Sequence, residues 1–257
     1  MRHRVVFIVI VLAVFAAVSA YSQDLRPNTP SGVVKEFYEL LHARKFAEGF
    51  RLSVFRPAIE GLNADEMKEL EPDFERIAAS LPDKVEVTGE KINGDRATVM
   101  IKLPNKGESQ EVALLKSDGK WVIGEPESQK IVKKQGKSYF FNERMKVSES
   151  EITELLQSIL GAELIYFKAK QEFTSLEELA KLGGVEPALI AGPVNGYKFE
   201  LTLTESGKAF SVKALPTQYG RSGKLSFYSD QSNLIRAEDN GGKPATAAAP
   251  PYQPRVE

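Results

Sequence analysis

The fold is decided by the stretch Ser148–Lys170, which reads SESEITELLQSILGAELIYFKAK. Its apolar residues recur at three- and four-residue spacings, which places them on one face of a helix. Ser148 and Glu151 have the spacing of a capping box, in which two side chains satisfy backbone donors at a helix start. Such an apolar face needs a cover, and strand-like alternation between Tyr197 and Ala237 predicts a sheet that provides it.

Length and composition narrow the class of protein. The chain has 257 residues, enough for one large domain or two small ones. Its net charge of -1 gives no electrostatic argument for binding nucleic acid or an anionic membrane surface. It has no cysteine, which excludes disulfides, thiolate metal sites and a cysteine nucleophile. With only His3 and His42, histidine-based metal or triad chemistry is nearly excluded as well.

The amino terminus has the pattern of an export signal. Basic residues at 2–4 precede an apolar run from Val5 to Val18, shorter than the roughly 20 residues that a membrane-spanning helix needs. We therefore predict a cleaved signal peptide over 1–20, followed by a polar linker over 21–29. The protein is then periplasmic or extracellular. The alternative is an uncleaved anchor, and either way this segment is the only predicted contact with a membrane.

Residues 30–126 predict a first α+β domain. Helical patterns come first, and strand patterns separated by turn signals follow. Asn63 is the predicted cap of the helix over 64–80. Asn93-Gly94 is the strongest hairpin signal, because both residues tolerate a positive φ. Helices followed by an antiparallel meander indicate helices packed on one side of a sheet.

This order of elements, with the closing phrase KSDGKWVIGE (Lys116–Glu125), resembles the cystatin-like cone fold of the nuclear-transport-factor superfamily, in its exported bacterial branch. The resemblance covers residues 30–126 and implies a curved sheet. An apolar cavity between the helices and that sheet is one expectation, and ordinary core packing of the same side chains is the other. The candidate lining residues are Phe37, Phe50, Phe74, Ile101 and Trp121.

The segment 127–147 is polar and basic, with three aromatic residues at 139–141. Basic residues beside aromatics are one signature of single-stranded nucleic acid binding. The near-zero net charge favours a linker whose aromatic residues dock on a neighbouring domain. We therefore predict a linker and no nucleic-acid partner.

Residues 148–238 predict a second α+β domain. The phrases that follow its long helix are EFTSLEELAKLG (172–183), LIAGPVNGYKFELT (189–202), KAFSVKALP (208–216) and KLSFYSDQSNLIRA (224–237). Taken in order, they resemble the globular head of type IV pilins and of the pseudopilins of type II secretion. The resemblance implies a long helix packed on an antiparallel sheet. In a pilin that helix directly follows an apolar amino-terminal segment, whereas here a whole domain intervenes, so we expect a head used as a module.

Three features of the second domain bear on binding. Phe227 and Tyr228 are adjacent on a strand and must point to opposite faces, so one of them is a candidate for an interaction surface. Some pseudopilins bind calcium near the position of Asp230, while a turn in which its side chain accepts a backbone hydrogen bond explains it without metal. The Ala- and Pro-rich tail, 239–257, is predicted to be disordered.

Together these patterns predict a non-enzymatic, exported interaction or scaffold protein of a bacterial envelope, accessory to a pilus or secretion apparatus. We assign no catalytic, cofactor or metal residues, and the expected partner is an envelope protein. The alternative is a small-molecule binder, less readily an enzyme, that uses the cavity of the cone domain.

Overall fold

The computed structural model describes residues 28–82, 84–102, 109–204 and 206–253. The predicted signal peptide, 1–20, lies outside these residues. The described helices are α1 Pro30–His42, α2 Phe46–Arg51, α3 Arg56–Glu60, α4 Ala64–Ser80, α5 Pro126–Gln135, α6 Tyr139–Lys170, α7 Leu176–Lys181 and α8 Ala188–Ala191. The described strands are β1 Glu86–Asn93, β2 Arg96–Lys102, β3 Ser109–Ser117, β4 Lys120–Ile123, β5 Tyr197–Leu203, β6 Phe210–Pro216, β7 Ser226–Asp230 and β8 Arg236–Glu238.

The first sheet is an antiparallel meander in which β1 to β4 lie in chain order. The predicted hairpin at Asn93-Gly94 is confirmed, since Asn93 pairs with Arg96 and Gly94 has a φ of 59°. The alternation along β2 buries one face of the sheet, which α1 covers. The buried members of this cluster are Val33, Val34, Tyr38, Ala97, Val99, Ile101, Leu114 and Trp121.

A second cluster in this half lies among the helices. The predicted cap of α4 is confirmed as a capping box, in which the Glu66 amide donates to Asn63 Oδ1 at 2.9 Å and the Asn63 amide donates to Glu66 Oε2 at 3.1 Å. Aromatic rings make up much of this cluster. The buried members are Leu41, Phe46, Phe50, Ala58, Ile59, Leu70, Phe74, Val132, Phe140 and Phe141.

The segment predicted as a linker, 127–147, is helical instead. It forms α5, a short 3-10 turn at Gly136–Ser138 and the start of α6. Phe140 and Phe141 are buried in the helical cluster, and their packing holds this part of the backbone in place. The capping box predicted at Ser148 is also wrong, because Ser148 lies inside a helix that begins at Tyr139.

The second sheet is also an antiparallel meander in chain order, β5 to β8. The predicted alternation along β5 is confirmed: Tyr197 and Phe199 are buried, and Lys198 and Glu200 are exposed. The inner face packs against α6 and α7. The buried members of this cluster are Ile152, Leu156, Ile159, Leu160, Ala162, Leu176, Leu179, Val185, Leu189, Tyr197, Phe199, Phe210, Val212, Ala214, Phe227 and Ala237. An α+β protein is thus confirmed in its coarse form, mixed helices with antiparallel sheets.

The tail predicted to be disordered packs on the second sheet as far as it is described, to residue 253. Pro251 forms a bridge with Arg236 of β8, and the Arg236 guanidinium donates to the Ala249 carbonyl at 2.8 Å. Ala245 and Ala249 are buried. Small side chains let this segment lie close against the strand, so little apolar surface suffices to order it. Residues 254–257 lie outside the described chain.

Helix α6 runs through both halves of the molecule. Its 32 residues span about 48 Å at 1.5 Å per residue. Its first turn is buried in the helical cluster of the first half, and Ile152, Leu156 and Ile159 are buried in the second core. Among the described helices, none combines the length and the apolar character required to cross a membrane.

Candidate functional site

The structure separates the two residues of the predicted interaction surface. Phe227 is fully buried, with its ring centre 5.9 Å from that of Tyr197 and 5.5 Å from that of Tyr252. The prediction that Phe227 belongs to an interaction surface is therefore wrong, because its side chain points into the core and Tyr252 of the tail packs on it. Tyr228, on the opposite face, is half-buried and donates a hydrogen bond to Asp230 Oδ2 at 3.2 Å.

The predicted cavity residues lie in packed surroundings. The ring centres of Phe50 and Phe74 are 5.1 Å apart, and the Phe140 ring lies 5.0 Å from that of Phe74. Ile101 is fully buried against α1, and Phe37 touches both clusters. The ring of Phe140, which comes from the segment predicted as a linker, thus packs against two of the residues that were predicted to line a cavity.

Trp121 differs from the other four predicted cavity residues because it reaches a surface groove. It is 8% exposed, and it lines a groove of about 330 Å³ to which α2, α3 and α5 also contribute. Most of the other residues that line this groove are polar or charged, whereas the predicted cavity is apolar. Trp121 therefore serves mainly as core.

Asp230 sits in the turn that the metal-free alternative predicted. The Ser232 amide donates to Asp230 Oδ1 at 2.8 Å. Burial alone raises the pKa of Asp230, but the hydrogen bonds from Ser232 and Tyr228 outweigh it and leave the pKa below its ordinary value. Within the described residues, no three acidic or histidine side chains converge as a metal site requires.

A cluster of charged residues around one aromatic ring joins the two halves of the molecule, and it was not among the predicted sites. We call it the junction. It consists of Glu66, Glu69 and Asp73 on α4, Phe141 and Arg144 on α6, and Arg221 in the loop between β6 and β7. A cleft of about 390 Å³ lies beside it.

Arg144 ties α6 to α4. Its Nε donates to Asp73 Oδ2 at 2.7 Å, its Nη1 donates to Glu69 Oε1 at 2.9 Å, and its Nη2 donates to the Glu69 carbonyl at 2.6 Å. The Arg144 and Asp73 side chains are only 16% and 17% exposed. Charge-assisted bonds with this geometry are stronger than those of solvated surface pairs. The start of α6 is thereby held in register with α4.

Arg221 brings the second half into the same cluster. Its guanidinium lies 4.0 Å from the centre of the Phe141 ring, and Nη2 donates to Glu66 Oε1 at 3.3 Å. Lys137 also donates to Glu66 Oε1, at 3.2 Å. The backbone amide of Asn63, followed by Lys137 and Arg221, holds the pKa of Glu66 below its ordinary value. Glu66 therefore loses its charge, and its attraction for Arg221, only at a lower pH than an ordinary glutamate does.

The loop that carries Arg221 is anchored in the second core. Glu149 of α6 is buried, and its Oε1 accepts the amides of Lys224 and Leu225 at 3.0 Å and 3.1 Å. The hydroxyl of Tyr197 donates to the Leu225 carbonyl at 2.9 Å. A β-carbon at Gly223 would lie 1.9 Å from that hydroxyl oxygen, so only glycine fits there. Core contacts therefore determine where Arg221 stands.

A second buried acid, Glu163, lies inside the second core, apart from the junction. Its side chain is fully buried, and Oε2 accepts the Thr174 amide at 3.1 Å. Its Oε1 has no hydrogen-bond partner among the described residues. Burial raises the pKa of Glu163 to about 7, and the bond from Thr174 opposes this only in part. The group titrates near neutrality and therefore makes the stability of the second core depend on pH.

Comparison with protein-family models, with curated proteins and with solved structures finds no match for this chain. The resemblances to the cone fold and to pilin heads therefore stay predictions. The junction had a partial sequence signal, since Glu66, Glu69 and Asp73 lie three and four residues apart and share one face of α4. Its partner Arg221 is 155 residues away from Glu66, and no local pattern links the two.

Proposed function

We propose that this protein is an exported, non-enzymatic scaffold of a bacterial envelope that holds two binding modules at a fixed spacing. The observation that carries the proposal is the continuity of α6 through both cores, with the junction bracing the two halves beside it. A helix shared by two cores resists bending, because bending it would disrupt packing in both. A fixed spacing suits a protein that bridges two sites of a larger assembly.

The junction adds resistance to twisting about α6. Removing one partner of a mostly buried ion pair strands the other charge, which costs about 3–5 kcal/mol when burial is complete and less at partial exposure. Arg144 belongs to that class, whereas Arg221 is 38% exposed in its side chain and contributes less. Because the pKa of Glu66 is lowered, the contribution of Glu66 is present above its ordinary pKa of 4.5 and is lost as acid protonates it.

The larger assembly is proposed to be a pilus or a secretion apparatus, because the second half resembles pilin heads. Its helix-on-sheet arrangement supports that choice. The alternative, a small-molecule binder in the cone-domain cavity, has less support, because the rings of Phe50, Phe74 and Phe140 all pack against one another.

Spin-label distances test the fixed spacing. The chain has no native cysteine, so Lys91→Cys on β1 and Thr202→Cys on β5, both exposed, place one label on each half. We expect one narrow distance distribution, which broadens when Arg144→Gln and Arg221→Gln are added. The control is Arg96→Gln, an exposed arginine outside the junction. A distribution that is already broad in the parent protein contradicts the scaffold.

Affinity capture from the source envelope tests the interaction itself. The purified protein is expected to retain a stoichiometric envelope partner, and the junction variant Arg144→Gln/Arg221→Gln to lose it although both halves remain folded. Capture that is equal with parent and variant would show that the spacing is irrelevant to the partner. If the purified protein captures no more envelope protein than empty resin does, the proposed interaction function is contradicted.

A further inference from the structure

The outer face of α6 in the second half carries apolar side chains that no described residue covers. Leu164 and Ile165 are 52% and 72% exposed, and Leu182, just after α7, is 62% exposed. Ile165 and Leu182 line a groove of about 570 Å³ between α6 and the end of α7. Ile165 and Leu182 at the groove, with Leu164 exposed next to Ile165 on α6, form an apolar patch of the kind that marks an interface.

Gly161 lies in the middle of this face, and the packing of the chain itself does not explain it. A β-carbon built at Gly161 meets no atom within 4 Å, so alanine would fit without a clash. Glycine is among the least favourable residues inside a helix, because it loses the most backbone entropy on folding. A helix surface that lacks a side chain lets a second helix approach closely, since side chains at the contact set the interaxial distance.

Two opposite charges flank Gly161 symmetrically. Glu154 precedes it by seven residues and Lys168 follows it by seven, and both are exposed. Seven residues are close to two helical turns, so all three lie on one line along α6, with each charge about 10 Å from the glycine. Within the described chain, neither Glu154 nor Lys168 forms an ion pair of 4 Å or less with another side chain.

We propose that this face of α6 binds a second copy of the same chain, with the two helices antiparallel and crossing at Gly161. In that arrangement Glu154 of each copy faces Lys168 of the other, which makes two identical ion pairs across a two-fold axis. Ile165 and Leu164 of each copy cover the apolar surface of the other around the crossing. A second copy is favoured over a different protein because one chain supplies both halves of each ion pair.

This dimer goes beyond the proposed scaffold function and does not rest on it. The spacing between the two halves of one chain is the same whether α6 is paired or free. When labelled protein is diluted with unlabelled protein, only distances within one chain are measured, so failure of the dimer leaves the spin-label result unchanged. A broad distance distribution likewise leaves the dimer untouched. The two proposals can be overturned separately.

Sedimentation velocity over a wide concentration range tests the dimer. The purified protein is expected to change from monomer to dimer, and Ile165→Asp to raise the dimer Kd by about 100-fold or more, because a charge then replaces an interface anchor in both copies. Its matched control is Ile131→Asp on α5, at a position 49% exposed, which should leave the Kd unchanged. A parent protein that stays monomeric, or a dimer that Ile165→Asp does not weaken, overturns the proposal.

Charge reversal tests the antiparallel register. Glu154→Lys and Lys168→Glu should each raise the Kd by about tenfold, since each single change places like charges opposite one another at two sites. The double variant should restore the parent Kd, because the two ion pairs form again with their signs exchanged. A double variant as weak as either single variant would rule out the pairing about Gly161, and circular dichroism would confirm that every variant remains helical.

Discussion

The two halves of the molecule use the same plan and complete it differently. Each is a four-stranded antiparallel meander with helices on one face. The first half is completed from outside its predicted boundary, by Phe140 and Phe141 of α6. The second is closed by its own tail, where Tyr252 packs on Phe227. Two halves with similar folds thus differ in where their cores are completed. The core of the first half depends on α6, a helix that it shares with the second half.

The largest loss of stability should come from removing the α6 side chain that completes the core of the first half. Phe140→Ala should lower the free energy of unfolding of the first half by about 3–5 kcal/mol, because the ring is buried and touches Phe50 and Phe74. Trp121 is the only tryptophan, so its fluorescence reports this half selectively. The control is Ile131→Ala on α5, where the side chain is 49% exposed. Equal losses for the two variants would mean that Phe140 is not part of the first core.

The next effect is a pH dependence that belongs to the second half. The pKa of Glu163 is about 7 in the folded protein against an ordinary 4.5, so the folded state binds a proton more tightly and stability falls as the pH rises through this window. A rise of that size corresponds to about 3 kcal/mol. Glu163→Gln should therefore raise stability above pH 7 by about that amount and leave it nearly unchanged below pH 4.5.

Urea unfolding followed by tyrosine circular dichroism at several pH values measures this. The matched control is Glu186→Gln, an exposed acid in the loop between α7 and α8, which should keep the slope of the parent protein. A Glu163→Gln variant with an unaltered slope would show that the buried carboxyl is not the source of the dependence.

The smallest of the three effects tests the closure of the second half. Tyr252→Ala should cost about 2 kcal/mol, since the ring is half-buried against Phe227. The loss should appear in the tyrosine signal, while the transition reported by Trp121 shifts less. Tyr219→Ala, at a position 48% exposed, is the control and should cost less than about 1 kcal/mol. A Tyr252→Ala variant as stable as the parent would mean that the tail rests on the sheet without stabilising it.

Local patterns in the sequence predicted local structure well. The hairpin at Asn93-Gly94, the cap at Asn63 and the alternation along β5 each depend on residues close together in the chain. Alternation also predicted correctly that Phe227 and Tyr228 face opposite ways. It could not tell which of the two faces the core, because that depends on where α6 and the tail lie.

Contacts between distant residues were predicted in part or missed. The aromatic residues at 139–141 were expected to dock on a neighbouring domain, and Phe140 and Phe141 do so. No local pattern identified their partners, which lie more than 60 residues earlier in the chain. The pairing of Arg221 with Glu66 has the same difficulty across 155 residues. The tail was misjudged because its composition is typical of disorder, although its small side chains allow close contact with β8. The candidate site was therefore far less predictable than the elements that carry it.

The close approach of Gly223 to Tyr197 means that a substitution at Gly223 would affect residues far from it. Any larger residue at 223 has to displace either the tyrosine, which is fully buried, or the surface turn itself. Of the two, the turn is the easier to move, and it would carry Arg221 away from Glu66. A single methyl group added at this buried position of the second half would thus weaken a contact that helps to hold the first half, although it touches no residue there.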